Sequence, residues 1–174
     1  MAQNPWLVPI TTLRRSPGLR REERRSGHVG ELKVAGSVVP ADALAQAAAT
    51  LDSVSGGIEV SADVSAPWRG ECRRCLEPVS GEIHAHVREL YRPRDRGEQD
   101  EETYPLHGEV LDLQPLVRDA LILELPLAPL CSDQCRGLCP TCGADLNAGD
   151  CGCVDKPADP RWAALDTLRE RGSD

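Results

Sequence analysis

Alternating apolar and polar residues predict β-strands in the middle of the chain. From Ile58 to Val64, apolar side chains occupy every second position with polar residues between them, which is typical of a half-buried strand. From Glu82 to Leu90, apolar residues share one face and two histidines share the other. Residues 29–39 contain several β-branched side chains and end before a proline, so they predict a further strand.

Helical periodicity occurs in one long segment, residues 111–124. Its apolar residues fall at i, i+3, i+4, i+7 and i+8, Asp112 is a candidate N-cap, and Pro115 lies in the first turn. A second, shorter helix is predicted from Asp159 to Arg171. The alanine-rich segment 41–51 fits either a helix or a weak strand. The apolar stripe of the long helix consists of Leu113, Leu116, Val117, Ala120 and Leu121.

Together these elements predict an α+β fold. We expect an antiparallel β-rich body with one or two helices and a C-terminal cysteine-rich segment, in which the close pairs at 139–142 and 151–153 have the spacing of a zinc ribbon. The charged stretch 92–103 predicts an exposed loop within the body. The expected domains are a basic N-terminal arm at 1–28, a body at 29–130 with its helix at 111–124, and a cysteine-rich zinc segment with a C-terminal helix at 131–174.

Charge is unevenly distributed along the chain. The whole sequence carries −8, but residues 1–30 contain six arginines and two glutamates, so this part carries +4 and the remainder −12. A Ser-Pro-Gly break at residues 16–18 favours an exposed arm or loop over a continuous helix. Such an arm suits RNA phosphates or an acidic protein surface. Its arginines are Arg14, Arg15, Arg20, Arg21, Arg24 and Arg25.

Composition excludes several classes of function. Aromatic residues make up 3% of the chain and none is Phe, which argues against binding of single-stranded RNA by base stacking. The isolated Trp6, Trp68 and Trp162 are expected to pack instead. The N-terminal residues lack the pattern of a secretory signal, and no stretch approaches the ~20 apolar residues of a membrane span. We therefore expect a cytoplasmic protein that binds no membrane and no small-molecule substrate.

The eight cysteines occur in four tight pairs and predict two zinc ions, each held by four thiolates. The shortest loop is closed if the last two pairs form one site, which leaves the first two pairs for the other. The alternative, in which residues 131–142 hold one ion and the outer pairs the second, stays open at this point. The predicted ligands are Cys72, Cys75, Cys131, Cys135, Cys139, Cys142, Cys151 and Cys153.

Other cysteine chemistries fit the sequence less well. Disulfides need an oxidising compartment, and a thioredoxin-like redox pair normally involves a single CxxC in a βαβ setting. The spacings do not match those of ferredoxin clusters. A catalytic zinc keeps an open position and usually has His or carboxylate ligands. We therefore expect a protein that is not an enzyme.

The order of the motifs resembles the YceD family, the large ribosomal RNA subunit accumulation proteins. The similarity rests on Cys-x-x-Cys-Leu-x-Pro-Val at 72–79, Leu-Asp-Leu at 111–113, the cysteine-rich run at 135–147 and Asp-Pro-Arg-Trp at 159–162. This resemblance implies a non-enzymatic ribosome-biogenesis factor that supports accumulation of large-subunit (23S) rRNA. It also favours a strand for residues 41–51.

Two hypotheses follow for the function. In the first, the zinc sites are scaffolds, and the arm, together with Arg74, contacts large-subunit rRNA precursor or a large-subunit ribosomal protein. In the second, the chain is a zinc- or redox-responsive regulatory or protein-interaction module, with Cys151 and Cys153 as the point where zinc is released.

Overall fold

The computed structural model describes residues 4–93 and 103–154, and within them the chain is strand-rich with two helices. The α+β class and the predominance of antiparallel strands are confirmed. The chain divides into two compact units, Met1–Cys135 and Arg136–Asp174. In chain order the elements are β1 (Leu7–Pro9), α1 (Thr11–Arg15), β2 (Arg20–His28), β3 (Leu32–Lys33), β4 (Ser37–Val39), β5 (Leu44–Val54), β6 (Gly57–Glu71), β7 (Pro78–Pro93), β8 (Tyr104–Leu106), β9 (Val110–Asp112) and α2 (Gln114–Glu124).

The long strands β5, β6 and β7 form the centre of a seven-stranded sheet. β5 turns into β6 at Gly56, whose φ of +87° favours glycine. β6 then pairs with β7 from Ile58 opposite Tyr91 to Glu71 opposite Pro78, so the first cysteine pair lies at the tip of this hairpin. β2 pairs with the free side of β5, while β4 pairs with the far end of β6.

One face of this sheet is buried beneath α2, which packs against β6 and β7. Small residues of β5 and β6 line the buried face. A separate two-stranded sheet, β1 with β9, adds Trp6, which is fully buried and donates its indole N–H to the carbonyl of His28 at 3.0 Å. The expectation that Trp6 packs is thus confirmed, and Trp68 is partly buried against the same core.

The helix predicted at 111–124 begins later than expected. Leu111 and Asp112 belong to β9 and pair with β1, so α2 starts at Gln114. Asp112 nevertheless accepts a hydrogen bond from the backbone N–H of Gln114 at 2.9 Å. The strand predicted over 29–39 is also different, because two short strands, β3 and β4, pair with each other there.

The ambiguous segment 41–51 lies in strand β5 apart from its first three residues. Alanine favours helix intrinsically, but β5 is paired on both sides, with β2 and β6, and these ladders override a weak propensity.

Most of the segment expected to be an exposed arm has regular structure. Residues 11–15 form α1, and residues 20–28 pair with β5 along the whole of β2. The prediction of an arm or loop was therefore wrong for these residues, because the ladder with β5 satisfies backbone groups that a free arm would leave to water. The predicted helix at 159–171 with Trp162, and residues 94–102 of the charged loop, lie outside the described residues.

We expect the packing of α2 to dominate the stability of the first unit. Leu121 is fully buried, whereas Leu123 of the same helix is 83% exposed. Leu121→Ala should lower the free energy of unfolding by about 2–5 kcal/mol, because it removes buried apolar surface and leaves a cavity. The matched control Leu123→Ala should change it by less than about 0.5 kcal/mol in urea titrations. Equal effects of the two substitutions would contradict this packing.

Candidate metal centres

Four cysteine sulfurs meet at the tip of the β6–β7 hairpin. Cys72 and Cys75 lie in the hairpin loop, and Cys131 and Cys135 follow α2. All four sulfurs lie within 4.8 Å of one another, with 3.8 Å between Cys72 and Cys135 and 3.6 Å between Cys75 and Cys131. A disulfide would need about 2.05 Å. Tetrahedral ligands at about 2.3 Å from one ion stand about 3.8 Å apart, so this group fits a metal.

The remaining cysteines form a second group within the second unit. The sulfurs of Cys139, Cys142, Cys151 and Cys153 also lie within 4.8 Å of one another. The two groups follow the division that the shortest-loop argument favoured, and the alternative that joins residues 131–142 around one ion does not match this arrangement. With four sulfurs each, the two groups could bind metal ions.

The backbone folds in the same way around the first cysteine pair of each group. The N–H of Leu76 donates to the carbonyl of Cys72 at 2.9 Å, and the N–H of Gly143 donates to the carbonyl of Cys139 at 2.9 Å. Both residues have positive φ, +65° for Leu76 and +74° for Gly143. This turn aims both sulfurs of a Cys-x-x-Cys pair to the same side.

Backbone N–H groups in these turns also act on the thiols. The N–H of Cys75 is the largest of the contributions that lower the pKa of Cys72 to about 6. The N–H of Cys142 has the same effect on Cys139, whose pKa also falls to about 6. The neighbouring thiol of Cys135 raises the pKa of Cys131 to about 12. Sulfurs this close disfavour a further negative charge, and a bound cation would offset that repulsion.

Hydrogen bonds hold the two halves of the first group together. The N–H of Arg73 donates to the carbonyl of Pro129 at 2.9 Å. The guanidinium of Arg74 donates to the carbonyls of Asp133 and Cys135, at 3.2 and 2.8 Å. Arg74, which the sequence suggested as a partner contact, therefore spans the two cysteine pairs of this group.

The second group rests on a compact loop. Cys139 donates its N–H to the carbonyl of Ala144 at 2.8 Å, and the Asn147 side chain accepts from the N–H of Arg136 at 2.8 Å. The guanidinium of Arg136 forms an ion pair with Asp150 at 2.5 Å. Cys142 and Cys153 are exposed in this group, whereas three of the four cysteines in the first group are buried.

The structure does not bring the arginines of residues 14–25 together. Arg14 and Arg15 lie on α1, where Arg14 donates to the carbonyl of Gly108 and Arg15 pairs with Glu109 at 3.5 Å. The other four alternate along β2, so they point to opposite faces of the sheet.

Two of the β2 arginines share one carboxylate on the face that carries the core. Arg21 and Arg25 contact Glu23 at 2.6 and 2.8 Å, and the Nε atom of each is buried without a hydrogen-bond partner. On the opposite face, Arg20 makes a two-pronged contact with Asp52, at 2.7 and 3.0 Å. The side chain of Arg24 is exposed and has no ion pair or hydrogen bond in the part of the chain that the structure describes.

Sequence reasoning missed two further cations, Lys33 and Arg69. Both are exposed, and within residues 4–93 and 103–154 neither side chain has an ion pair or hydrogen bond. Lys33 and Arg69 lie near each other because of the register of strands β3, β4 and β6, which a local sequence pattern does not reveal. The exposed His86 contacts Asp63 at 2.8 Å, in agreement with the expectation that it faces solvent. Neither described helix is long and apolar enough to cross a membrane.

Residues 60–169, which include all eight cysteines, match the family described as large ribosomal RNA subunit accumulation protein YceD. The chain belongs to the YceD family. It is 36% identical over 180 residues to an uncharacterized protein of Mycobacterium tuberculosis (strain ATCC 25618 / H37Rv), which covers 95% of this chain and 86% of that protein. The resemblance inferred from the motifs is confirmed.

Plant relatives carry the family's name in full. Over 73 residues the chain is 32% identical to the large ribosomal RNA subunit accumulation protein YCED homolog 1, chloroplastic, of Arabidopsis thaliana, covering 42% of this chain and 23% of that protein. The protein of the same name from Zea mays is 39% identical over 54 residues, which is 31% of this chain and 18% of the relative. No solved structure matches the chain.

The contacts of Arg74 predict a structural role for this side chain. Arg74→Ala should lower the free energy of unfolding by about 1–3 kcal/mol, because two carbonyls of the 131–135 segment lose a charged donor. The matched control is Arg73→Ala, since the side chain of Arg73 has no hydrogen bond among the described residues. Urea unfolding of the two variants measures the difference, and equal losses would contradict the role assigned to Arg74.

Proposed function

We propose that this YceD-family chain is a non-enzymatic ribosome-biogenesis factor that acts in the cytoplasm and supports accumulation of large-subunit (23S) rRNA. The observation that carries the proposal is the match of residues 60–169 to the family. The full names of the plant relatives support it, because they describe accumulation of large ribosomal RNA.

In this proposal each cysteine group holds one structural zinc ion. Four sulfurs in each group would fill all four positions of a tetrahedral ion and leave none for a substrate, which favours a scaffold over a catalyst. At the first group, zinc would fasten the β6–β7 hairpin to the segment that follows α2. At the second, it would organise a loop whose described residues contain no regular helix or strand.

The proposed partner is large-subunit rRNA precursor or a large-subunit ribosomal protein. The candidate contact residues are Arg14, Arg15, Arg20, Arg21, Arg24, Arg25 and Arg74. These side chains differ in whether they already contact groups of the protein itself. Arg24 is the best supported of them, because its charge is exposed and not offset by a carboxylate among the described residues. Arg20 lies on the same face of β2, although Asp52 already accepts its hydrogen bonds.

Zinc content tests the scaffold directly. We expect natively purified protein to contain two zinc ions per chain by elemental analysis, one for each group of sulfurs. Cys75→Ser should remove one ion and lower the free energy of unfolding by at least ~3 kcal/mol, since structural zinc contributes folding free energy. Ser132→Ala, an exposed neighbour of the ligand Cys131, should keep both ions. Well-folded protein without metal would contradict the proposal.

The exposure of Cys142 and Cys153 favours a second candidate, a redox-responsive module. The same zinc measurement after mild peroxide treatment discriminates the two. A scaffold retains both ions, whereas a redox-responsive module loses zinc selectively from the second group.

Association with ribosomal precursors tests the function. In cells that lack the gene, 23S rRNA should fall and the wild-type chain should restore it. Arg24→Ala should weaken cosedimentation with pre-large-subunit particles by about two- to tenfold at low salt, and less at higher salt, because one phosphate contact is lost and the dependence of association on salt becomes shallower. Arg24→Lys serves as the control and should retain most of the association, since a point charge suffices at a phosphate. Association that is unaffected by Arg24→Ala and by salt would overturn the role of this residue.

A further inference from the structure

Three exposed cations, Lys33, Arg69 and Arg73, lie beside the first cysteine group. Lys33 pairs with Val38 in the β-ladder and Val38 pairs with Arg69, so the three side chains stand in one row on the same face of the sheet. Arg73, in the adjacent hairpin loop, is also exposed. None of the three cations has an ion pair in the described ranges, whereas Arg15, Arg20, Arg21, Arg25 and Arg88 each contact a carboxylate.

The same residues line a groove that also contains exposed aliphatic side chains. Its volume is about 510 Å³, and Leu76 and Leu127 lie along it at 60% and 68% exposure. The lining contains three cations, Lys33, Arg69 and Arg73, and one carboxylate, Glu71, in a chain of net charge −8. We call this feature the cationic groove and define it by Lys33, Val38, Arg69, Arg73, Leu76 and Leu127.

The backbone at Leu76 indicates that its side chain is there for more than folding. Its φ of +65° lies in the left-handed region, which leucine disfavours. The equivalent position in the second cysteine group is Gly143, which adopts the same conformation without that penalty. A strained residue with an exposed apolar side chain is typical of a functional surface.

We propose that the cationic groove docks an extended segment of a partner protein in which an apolar side chain is flanked by carboxylates. The leucines match the apolar side chain, and the three cations match the carboxylates. An RNA strand would use the cations but leave the leucines exposed, and none of the described residues that line the groove has an aromatic ring on which a base could stack. This proposal rests on the residues of the groove alone, so it holds whether or not the partner is a ribosomal protein.

Site-specific crosslinking in cells tests the proposal on the full chain. A benzophenone amino acid replaces Leu127 in one version and Leu44 in the control, since Leu44 is 54% exposed on β5 outside the groove. Position 127, and not position 44, should crosslink to one protein. The attached peptide should contain an apolar residue with carboxylates beside it. Lys33→Glu with Arg73→Glu should abolish the crosslink, and nuclease should not.

Binding of a synthetic copy of that crosslinked peptide, followed by fluorescence anisotropy, then measures each contribution. Leu76→Gly and Leu127→Ala should each weaken binding by about tenfold or more. Leu76→Gly relieves the backbone at this position, so its urea midpoint should stay close to that of the wild type and binding loss is not unfolding. Arg24→Glu should bind the peptide as the wild type does, which separates the groove from the proposed rRNA contact.

Four outcomes would overturn the docking proposal. These are a nuclease-sensitive crosslink to RNA, a crosslink to a second copy of the chain, a peptide without carboxylates, and no difference between positions 127 and 44. Wild-type affinity in Leu76→Gly would remove the role assigned to that leucine. None of these results would contradict the proposed function, which is tested separately by the zinc content and by the effect of Arg24→Ala.

Discussion

The convergence of four sulfurs at one end of the β6–β7 hairpin is the constraint on which the first unit depends. The two cysteine pairs are 55 residues apart, from Leu76 to Leu130, and the intervening chain includes β7, β8, β9 and α2. Joining them through one ion would close this loop and fix the end of α2 relative to the longest strands. A metal-bound cross-link of this kind would add stability to a core that has no Phe and many alanines, since small side chains bury less apolar surface. The hydrogen bonds of Arg73 and Arg74 across the same junction add polar contacts to the cross-link.

Charge in this molecule is arranged by strand register more than by position in the sequence. Residues 14–25 form a basic run, yet four of its six arginines contact a carboxylate: Arg20 contacts Asp52 of β5, Arg21 and Arg25 contact Glu23 of β2 itself, and Arg15 contacts Glu109. Glu23 stands opposite Ala49, so it and its two arginines occupy the core-carrying face at the edge of the sheet. Charges in that place discourage another chain from pairing with the open side of β2. Lys33 and Arg69, which have no ion pair among the described residues, come from segments without a basic run.

The sequence predicted the features that depend on local periodicity or on spacing. Period-two alternation placed Ile83 towards the core and His86 towards solvent, and loop closure favoured the observed grouping of the cysteines. β2 was missed because charged residues occupy both of its faces, so it has no apolar alternation. The helix start was placed too early because Leu111 and Asp112 directly precede the apolar stripe, whereas their pairing with β1 decides their conformation. The cationic groove needs the register of β3, β4 and β6, which is tertiary information.

The turns that begin at Cys72 and Cys139 have the same backbone conformation but carry different residues at the position with positive φ. They share the same hydrogen bond and the same sign of φ, so residue 76 and residue 143 face the same conformational demand. Glycine meets that demand at residue 143 with no side chain. Leu76 adopts the left-handed conformation although leucine disfavours it, and most of its side chain is exposed to solvent. Within residues 4–93 and 103–154, neither the shared turn nor burial in the core explains a leucine at this position, whereas the proposed docking of a partner segment would use its exposed side chain.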